Sequence, residues 1–167
     1  RVIEPPGTVM TGGSGVGVLR VIGSEATIKT LGMFMESGPV SEGTLCFEID
    51  SGGVTTIQAD SADLLGTLSM GAVPGYAPPV GSTFTLISAN SLVNTGLTLD
   101  PANAGVWSFS ANGTTLSATY LGLPGDGNQD GSISGADFTI WADNFGTGST
   151  LGTGDYNGDH MVTGADF

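Results

Sequence analysis

The sequence predicts a mainly β protein, a β-sandwich of the jelly-roll type, with a small α-helical module at its C-terminal end. Two observations lead to this fold class. Many short runs rich in β-branched and aromatic residues follow one another between residues 18 and 122, with Gly and Pro turn signals between them. A 14-residue segment near the C-terminus then occurs twice. A β-solenoid is the alternative to the sandwich, because residues 19–34, LRVIGSEATIKTLGMF, have the pattern of stacked short strands.

The composition divides the chain into three parts. Residues 1–17 are rich in Pro and Gly, and we expect them to form a flexible leader or an arm that reaches another subunit. Residues 18–122 form the predicted β domain. The segment GLPG then leads into the C-terminal module, residues 123–167.

The clearest strand signal in the β domain is the segment LCFEID, residues 45–50. Leu45, Phe47 and Ile49 alternate there with three other residues, which predicts a strand with one buried face. Residues 82–87, STFTLI, predict a second strand from their β-branched and aromatic content. Further candidate strands are 18–22, 26–31, 54–58, 64–70, 97–99, 107–110 and 116–120.

The last two of these strands flank Asn112-Gly113 and predict a hairpin with a two-residue turn. In the C-terminal module, Ser134 is a suitable N-cap for a helix over about residues 135–145. Phe138, Trp141 and Phe145 recur at spacings of three and four residues, which gives this helix an apolar stripe. Gly146 ends it.

The charge of the chain excludes some classes of partner. The net charge is −13, and the only cations are Arg1, Arg20 and Lys29. Nucleic acid is therefore not expected as a ligand, since cations must meet its phosphates, and divalent cations are the expected counter-charge. No apolar run of 18 residues occurs, so we expect no membrane span. Cys46 is the only cysteine, which excludes an internal disulfide.

The duplicated segment carries the strongest functional signal. Residues 125–138 read GDGNQDGSISGADF and residues 154–167 read GDYNGDHMVTGADF, with eight of the 14 positions identical. The shared residues are mostly glycines or oxygen donors. Oxygen donors at positions 1, 3, 5 and 12 of a loop suit Ca²⁺, which takes six to eight oxygen ligands. The sequence therefore predicts two calcium sites.

Each loop supplies six candidate calcium ligands. Those of loop one are Asp126, Asn128, Asp130, the Ser132 carbonyl, Ser134 and Asp137. Those of loop two are Asp155, Asn157, Asp159, the Met161 carbonyl, Thr163 and Asp166. Position 6 is Gly131 in loop one, where a sharp turn is needed, and His160 in loop two, which tolerates positive φ at some strain. The second repeat is shortened, since no helix follows Asp166 in the sequence.

Residues 124–167 resemble a type I dockerin module, which consists of two tandem calcium loop–helix repeats. The dockerin motif G-D-x-N-x-D-G-x-[IV]-x-x-x-D-F is matched fully in the first repeat, whereas the second departs from it at His160. In such modules, loop positions 10 and 11 help to recognise a cohesin partner, often through hydroxyl groups. Here they are Gly135-Ala136 and Gly164-Ala165, which lack hydroxyls. The resemblance implies bound calcium, while cohesin recognition would need other contacts.

Residues 41–122 resemble, more loosely, the β-rich C-terminal regions of secreted bacterial surface proteins that carry dockerin-like repeats, some with PEP-CTERM sorting tails. That resemblance implies an exported, surface-associated protein. An extracellular location also suits calcium loops of modest affinity, because calcium is abundant outside the cell. We expect no enzyme, since Cys46 has no evident histidine base and His160 falls in a metal loop.

Three functional hypotheses follow from the sequence. The first is a calcium-binding structural subunit of a surface matrix or filament, which pairs with other copies of itself through β-strands. The second is a dockerin-type adhesion module that docks a cohesin-like partner. The third is a carbohydrate-binding domain, if Trp107 and Tyr76 are exposed on one face.

Overall fold

The chain is mainly β in the computed structural model, which describes residues 18–24, 28–34 and 43–166. The leader or arm predicted for residues 1–17 lies outside this described part. Two 3₁₀ turns cover Pro101–Asn103 and Leu151–Thr153. The strands are β1 Val18–Ile22, β2 Ile28–Phe34, β3 Thr44–Ile49, β4 Ile57–Ala72, β5 Thr83–Leu99, β6 Trp107–Ala111 and β7 Thr115–Tyr120, and the helix is α1 Gly135–Asp143.

The seven strands belong to one hydrogen-bonded sheet, in the order β1-β3-β4-β5-β7-β6, with β2 paired to the first half of β4. The pairings of β1 with β3, β3 with β4, β2 with β4 and β4 with β5 are all parallel. The pairings of β5 with β7 and of β7 with β6, at the end of the domain next to the C-terminal module, are antiparallel. This pairing differs from a jelly roll, whose strands are antiparallel.

Parallel pairing places like side chains beside each other in columns. Ile28 lies opposite Ile57, which lies opposite Ile87. A second column contains four leucines, which are Leu19, Leu45, Leu68 and Leu99. Stacked columns of this kind are the feature that the solenoid alternative predicts. The described residues show no second sheet packed face to face on this one, so the sandwich stays unconfirmed.

One apolar core lies inside this arrangement, and the two long strands bend around it. In β4 the buried positions change from Ile57 and Ala59 to Ala62 and Leu64, which shows that the inward face switches within the strand. Bends also occur in β5, where the register shifts after Thr85. Leu45, Phe47 and Ile49 are all buried, which confirms the alternation predicted for β3.

The predicted hairpin is present as β6 and β7, with its turn one residue further along the chain. Asn112 is hydrogen-bonded to Thr115, so the two turn residues are Gly113-Thr114 and not Asn112-Gly113. The Asn112 carboxamide oxygen accepts hydrogen bonds from the backbone of Thr114 and Thr115, and this fixes the turn. Within the described part of the chain, no helix is both long and apolar enough to cross a membrane.

Candidate metal centre

Loop one follows β7, which ends at Tyr120, and runs into the first turn of α1. Ser134 caps the helix, because its hydroxyl accepts a hydrogen bond from the Ala136 N–H while its own N–H donates to the Asp137 carboxylate at 2.7 Å. This reciprocal pair is a capping box, with Asp137 in the place usually taken by Glu or Gln. The last candidate ligand of loop one is therefore held in place by the start of the helix.

Backbone N–H groups hold the other candidate ligands of loop one. The Asp126 carboxylate accepts from the N–H groups of Asp130 at 3.1 Å and Gly131 at 2.8 Å. Asp137 also accepts from the Asn128 N–H at 3.2 Å, and the Asn128 side-chain oxygen accepts from the Asp130 N–H at 3.0 Å. The loop backbone thus surrounds its own oxygen donors, and its N–H groups hold both the first carboxylate, Asp126, and the last, Asp137.

Loop two repeats this pattern of hydrogen bonds. Asp155 accepts from the N–H groups of Gly158 at 2.8 Å and His160 at 2.9 Å; His160 is the counterpart of Gly131, while Gly158 lies one position before the counterpart of Asp130. Asp166 accepts from Asn157 at 3.2 Å and Thr163 at 2.7 Å, as Asp137 does from Asn128 and Ser134. The sequence repeat is therefore also a repeat of local geometry, although loop two has no described helix after it.

The backbone turns at the same positions in both loops. Gly131 has φ 86° and His160, at the same loop position, has φ 68°. Two positions earlier, Gln129 has φ 58° and Gly158 has φ 78°. His160 thus adopts the left-handed conformation that the sequence requires of it, at a cost that glycine would not have.

The first and last carboxylates of each loop are buried, and within the described part of the chain they form no ion pair with Lys or Arg. Asp126, Asp137, Asp155 and Asp166 are 2%, 0%, 4% and 9% exposed, and no Lys or Arg occurs after Lys29. Burial raises the pKa of Asp137, but hydrogen bonds from Asn128 and Ser134 outweigh it and hold the pKa below its ordinary value. The hydrogen bond from the Thr163 N–H is the main cause that lowers the pKa of Asp166, against the opposing effect of burial. Both groups therefore stay ionised at neutral pH.

The remaining acid of each loop lies at the surface. Asp130 accepts from the Ser132 N–H and the Asn128 side-chain amide, and Asp159 accepts from the Met161 N–H and the Asn157 amide in the same way. Consistent with this, no three side chains of His, Cys, Asp or Glu in the described regions form a metal-holding group. Backbone N–H groups of each loop hold its candidate side chains, Asp126, Asn128, Asp130, Ser134 and Asp137 in loop one and Asp155, Asn157, Asp159, Thr163 and Asp166 in loop two, but the three carboxylates of a loop are not gathered around one point. Ser132 and Met161 would contribute through their carbonyls.

The donor set of each loop fits a calcium ion. It consists only of oxygen, it carries three carboxylates, and two of them are buried negative charges with no ion pair to Lys or Arg among the described residues. A bound divalent cation would supply the missing positive charge.

Two hydrogen bonds join the repeats, and the sequence analysis did not predict them. The Tyr156 hydroxyl of loop two donates to the Asp137 carbonyl at 3.0 Å, and the Trp141 indole N–H of α1 donates to the Thr163 carbonyl at 2.8 Å. The sequence does contain a signal for the first contact, because Tyr156 and Gly127 occupy the same repeat position and differ greatly in size.

The module also contacts the β domain. A Cβ placed on Gly131 would lie 2.9 Å from the Cβ of Ala77, so loop one approaches the β domain closely at the turn of the loop. Leu151 lies against Gly122 in the segment that joins the two parts. A cleft of about 410 Å³ between them is lined in part by Leu121, Asp155 and His160.

Other candidate sites find less support. Trp107 is only 4% exposed and packs against Phe84 and Tyr120, with ring centroids 6.1 and 5.0 Å away, so it does not offer the open aromatic face that the carbohydrate hypothesis requires. Burial raises the pKa of the Cys46 thiol, which favours the less reactive protonated form.

Comparison with known proteins identifies no family for this chain. No protein-family model, curated protein or solved structure matches this chain.

Proposed function

We propose that this chain is a calcium-binding structural protein of the cell exterior, in which a calcium module closes one end of a short β-solenoid. The observation that carries the proposal is the pair of loops with four buried aspartates and no cation near them in sequence. Such charges are costly to bury unless a positive charge joins them. The resemblance of residues 124–167 to dockerin repeats supports the same ion.

Calcium suits these loops better than magnesium or zinc. Magnesium prefers six ligands in strict octahedral geometry and keeps much of its water, whereas calcium accepts the six to eight oxygens that a flexible loop can supply. Zinc favours nitrogen and sulfur ligands. Cys46 is far from both loops in sequence, and the one histidine, His160, lies at the position that turns loop two.

The solenoid is supported by the parallel pairing and by the columns of like side chains. The edges of β1 and β2, at the N-terminal end of the solenoid, support a role in self-association. Within the described segments, β1 pairs only with β3 and β2 only with β4, so each of these strands has a second edge. Val18 and Ile22 on β1 are 58% and 55% exposed.

Charge favours a second copy as the partner of this end. Arg20 and Lys29, the only cations after Arg1, lie in β1 and β2, while seven of the 16 acidic residues lie between Asp126 and Asp166. Head-to-tail association would bring the two ends together, and such contacts produce open filaments when they do not close into a ring. Both cations are exposed, although Arg20 also forms an ion pair with Glu48.

An adhesion module that docks a cohesin-like partner is the second candidate. The dockerin resemblance favours it, and so do the exposed rings of Phe138 and Phe145 on α1, which are 49% and 55% exposed. Gly135-Ala136 and Gly164-Ala165 are exposed but offer no hydroxyl groups. A partner would therefore have to recognise this module through apolar contacts.

Two measurements test the proposal. Isothermal titration of chelator-treated protein is expected to show two calcium ions per chain, and empty loops at millimolar calcium would refute calcium binding. Electron microscopy is expected to show filaments with calcium that disassemble in EGTA, whereas uniform monomers with calcium would refute the filament. A one-to-one complex with a cohesin, formed by those monomers, would favour the second candidate.

A matched pair of variants tests the edge strand. Ile22 of β1 and Val93 of β5 are similarly exposed, at 55% and 52%. A lysine at a strand edge opposes pairing with another chain. Ile22→Lys is therefore expected to abolish filaments and Val93→Lys to leave them intact, and equal behaviour of the two variants would exclude β1 as the contact.

A further inference from the structure

Tyr156 is the residue that joins the two loops most directly. It is the third residue of the second repeat, only 9% exposed, and its hydroxyl donates to the carbonyl of Asp137, the last candidate ligand of loop one. Its backbone N–H donates at 3.0 Å to the carboxylate of Asp166, the last candidate ligand of loop two. One residue thus contacts the closing ligand of both loops.

The first repeat provides the space that Tyr156 occupies. Gly127 holds the same repeat position as Tyr156, and a Cβ at Gly127 would lie 2.6 Å from the Tyr156 hydroxyl and 3.2 Å from Cγ2 of Ile140. Any larger residue at position 127 would therefore displace the phenol or the helix. Glycine in one repeat and tyrosine in the other are complementary parts of one contact.

The phenol also lies within the electrostatic field of both loops. Burial raises the pKa of Tyr156, and the negative charges of Asp137, Asp126 and Asp166 raise it further. Two of these carboxylates belong to loop one and one belongs to loop two. The phenol of Tyr156 therefore lies close to carboxylates of both loops.

We propose that Tyr156 couples the two calcium loops, so that calcium in either loop raises the affinity of the other. This inference rests on the proposed calcium binding. An ion in loop one would fix Asp137 and the start of α1, and the hydrogen bond from Tyr156 would then hold the beginning of loop two in place. The second ion would find Asp166 already ordered, and so would lose less conformational entropy on binding. The effect is reciprocal by thermodynamic linkage.

The test is a cycle of calcium titrations on the full chain. Asp130→Ala weakens calcium binding to loop one, and Asp159→Ala weakens it to loop two, each at an exposed ligand. The calcium affinity of the unaltered loop can then be measured both with the weakened loop empty and with it filled. In the native protein, a filled neighbour is expected to raise affinity by about 5- to 20-fold. With Tyr156→Phe, which removes only the hydroxyl, that factor is expected to fall below about 2-fold. Tyr76→Phe, a half-buried tyrosine of the β domain, serves as the control.

A second pair of variants keeps the test independent of the hydroxyl. Gly127→Ala is expected to reduce the coupling as Tyr156→Phe does, whereas Gly164→Ala, where a Cβ would meet nothing within 4 Å, is expected to preserve it. Circular dichroism of each variant checks that it is folded. Unchanged coupling in Tyr156→Phe and Gly127→Ala would overturn this inference but not the proposed function. Two filled loops without coupling in the native protein would do the same. Loops that bind no calcium at all would overturn the proposed function and this inference together.

Discussion

Single aspartates carry two different kinds of role in this protein. Asp126, Asp137 and their counterparts in loop two are buried and held by backbone N–H groups, whereas Asp130 and Asp159 lie at the surface beside them. The buried pair shapes each loop even without an ion. The exposed acid accepts its hydrogen bonds at the surface of the loop, so its substitution disturbs the fold less and tests ion binding more cleanly than substitution of a buried acid.

We expect Asp130→Ala to weaken calcium binding to loop one by about 10-fold or more, because it removes one of three carboxylates from the donor set. Calorimetric titration measures the change. Asp143→Ala removes an equally exposed aspartate of α1 that lies outside the loop, and it is expected to alter binding less than about 2-fold. A similar loss in both variants would mean that general negative charge, and not a ligand, had been removed.

Asp50 links two turns of the β domain and makes stability depend on pH. Its carboxylate accepts from the N–H and hydroxyl of Ser24, at 3.1 and 3.0 Å, and from the Gly52 N–H at 2.8 Å. Burial raises the pKa of Asp50, but these hydrogen bonds together lower it below its ordinary value. A lowered pKa means that the unfolded chain binds the proton more readily, so stability is present above the ordinary pKa of about 4 and is lost as the pH falls through the lowered value.

We therefore expect Asp50→Asn to flatten the acid dependence of the free energy of unfolding. In chelator, urea unfolding between about pH 6 and pH 2.5 should show a smaller loss of stability in this variant than in the native protein. The same slope in both proteins would show that other carboxylates control the acid response.

Among the elements, those with a local signal were predictable. The alternation in β3, the hairpin of β6 and β7 and the cap of α1 all depend on residues close together in sequence, and all three are present, although the hairpin turn lies one residue further along than predicted. The length of β4 and β5 was not predicted, because polar residues such as Asp60 and Asp63 interrupt the apolar pattern. Those side chains accept hydrogen bonds from Asn90 and Thr95 of the neighbouring strand, so they fit within the sheet.

The columns of like side chains allow a direct comparison of positions in these long strands. Ile57 lies in the middle of the isoleucine column and is 1% exposed, whereas Val93 on β5 is 52% exposed. Ile57→Ala is expected to lower the free energy of unfolding by about 2–5 kcal/mol, and Val93→Ala by less than about 0.5 kcal/mol. Denaturant unfolding measures both, and equal small losses would show that the column is not part of a packed core.

In the whole molecule, the C-terminal module packs on the β domain. The loop sequences alone identified the candidate ligands, because the ligands of each loop lie within 12 consecutive residues. The contacts between the repeats and with the β domain join residues far apart in the chain, such as Gly131 and Ala77, and no local pattern predicts them. The module is thus predictable as a pair of loops but not in its placement.

Two glycines separate the effect of this packing from that of backbone strain. Gly131 and Gly158 both have positive φ, but only a Cβ at Gly131 would press on Ala77, at 2.9 Å, while nothing lies within 4 Å of one at Gly158. Gly158→Ala is expected to cost about 1 kcal/mol through strain, and Gly131→Ala about 1–2 kcal/mol more because the domains must separate slightly. Unfolding free energies in chelator measure the difference. Equal costs would mean that loop one does not press on the β domain.

The leucine and isoleucine columns have a consequence for how such a protein can change in length. Each layer offers its neighbour a surface much like the one it covers, so a tandem duplication of one layer would extend the molecule without rebuilding its interior. Loss of one layer would shorten it just as simply. Lineages could then vary the reach of the protein while the terminal module stayed the same.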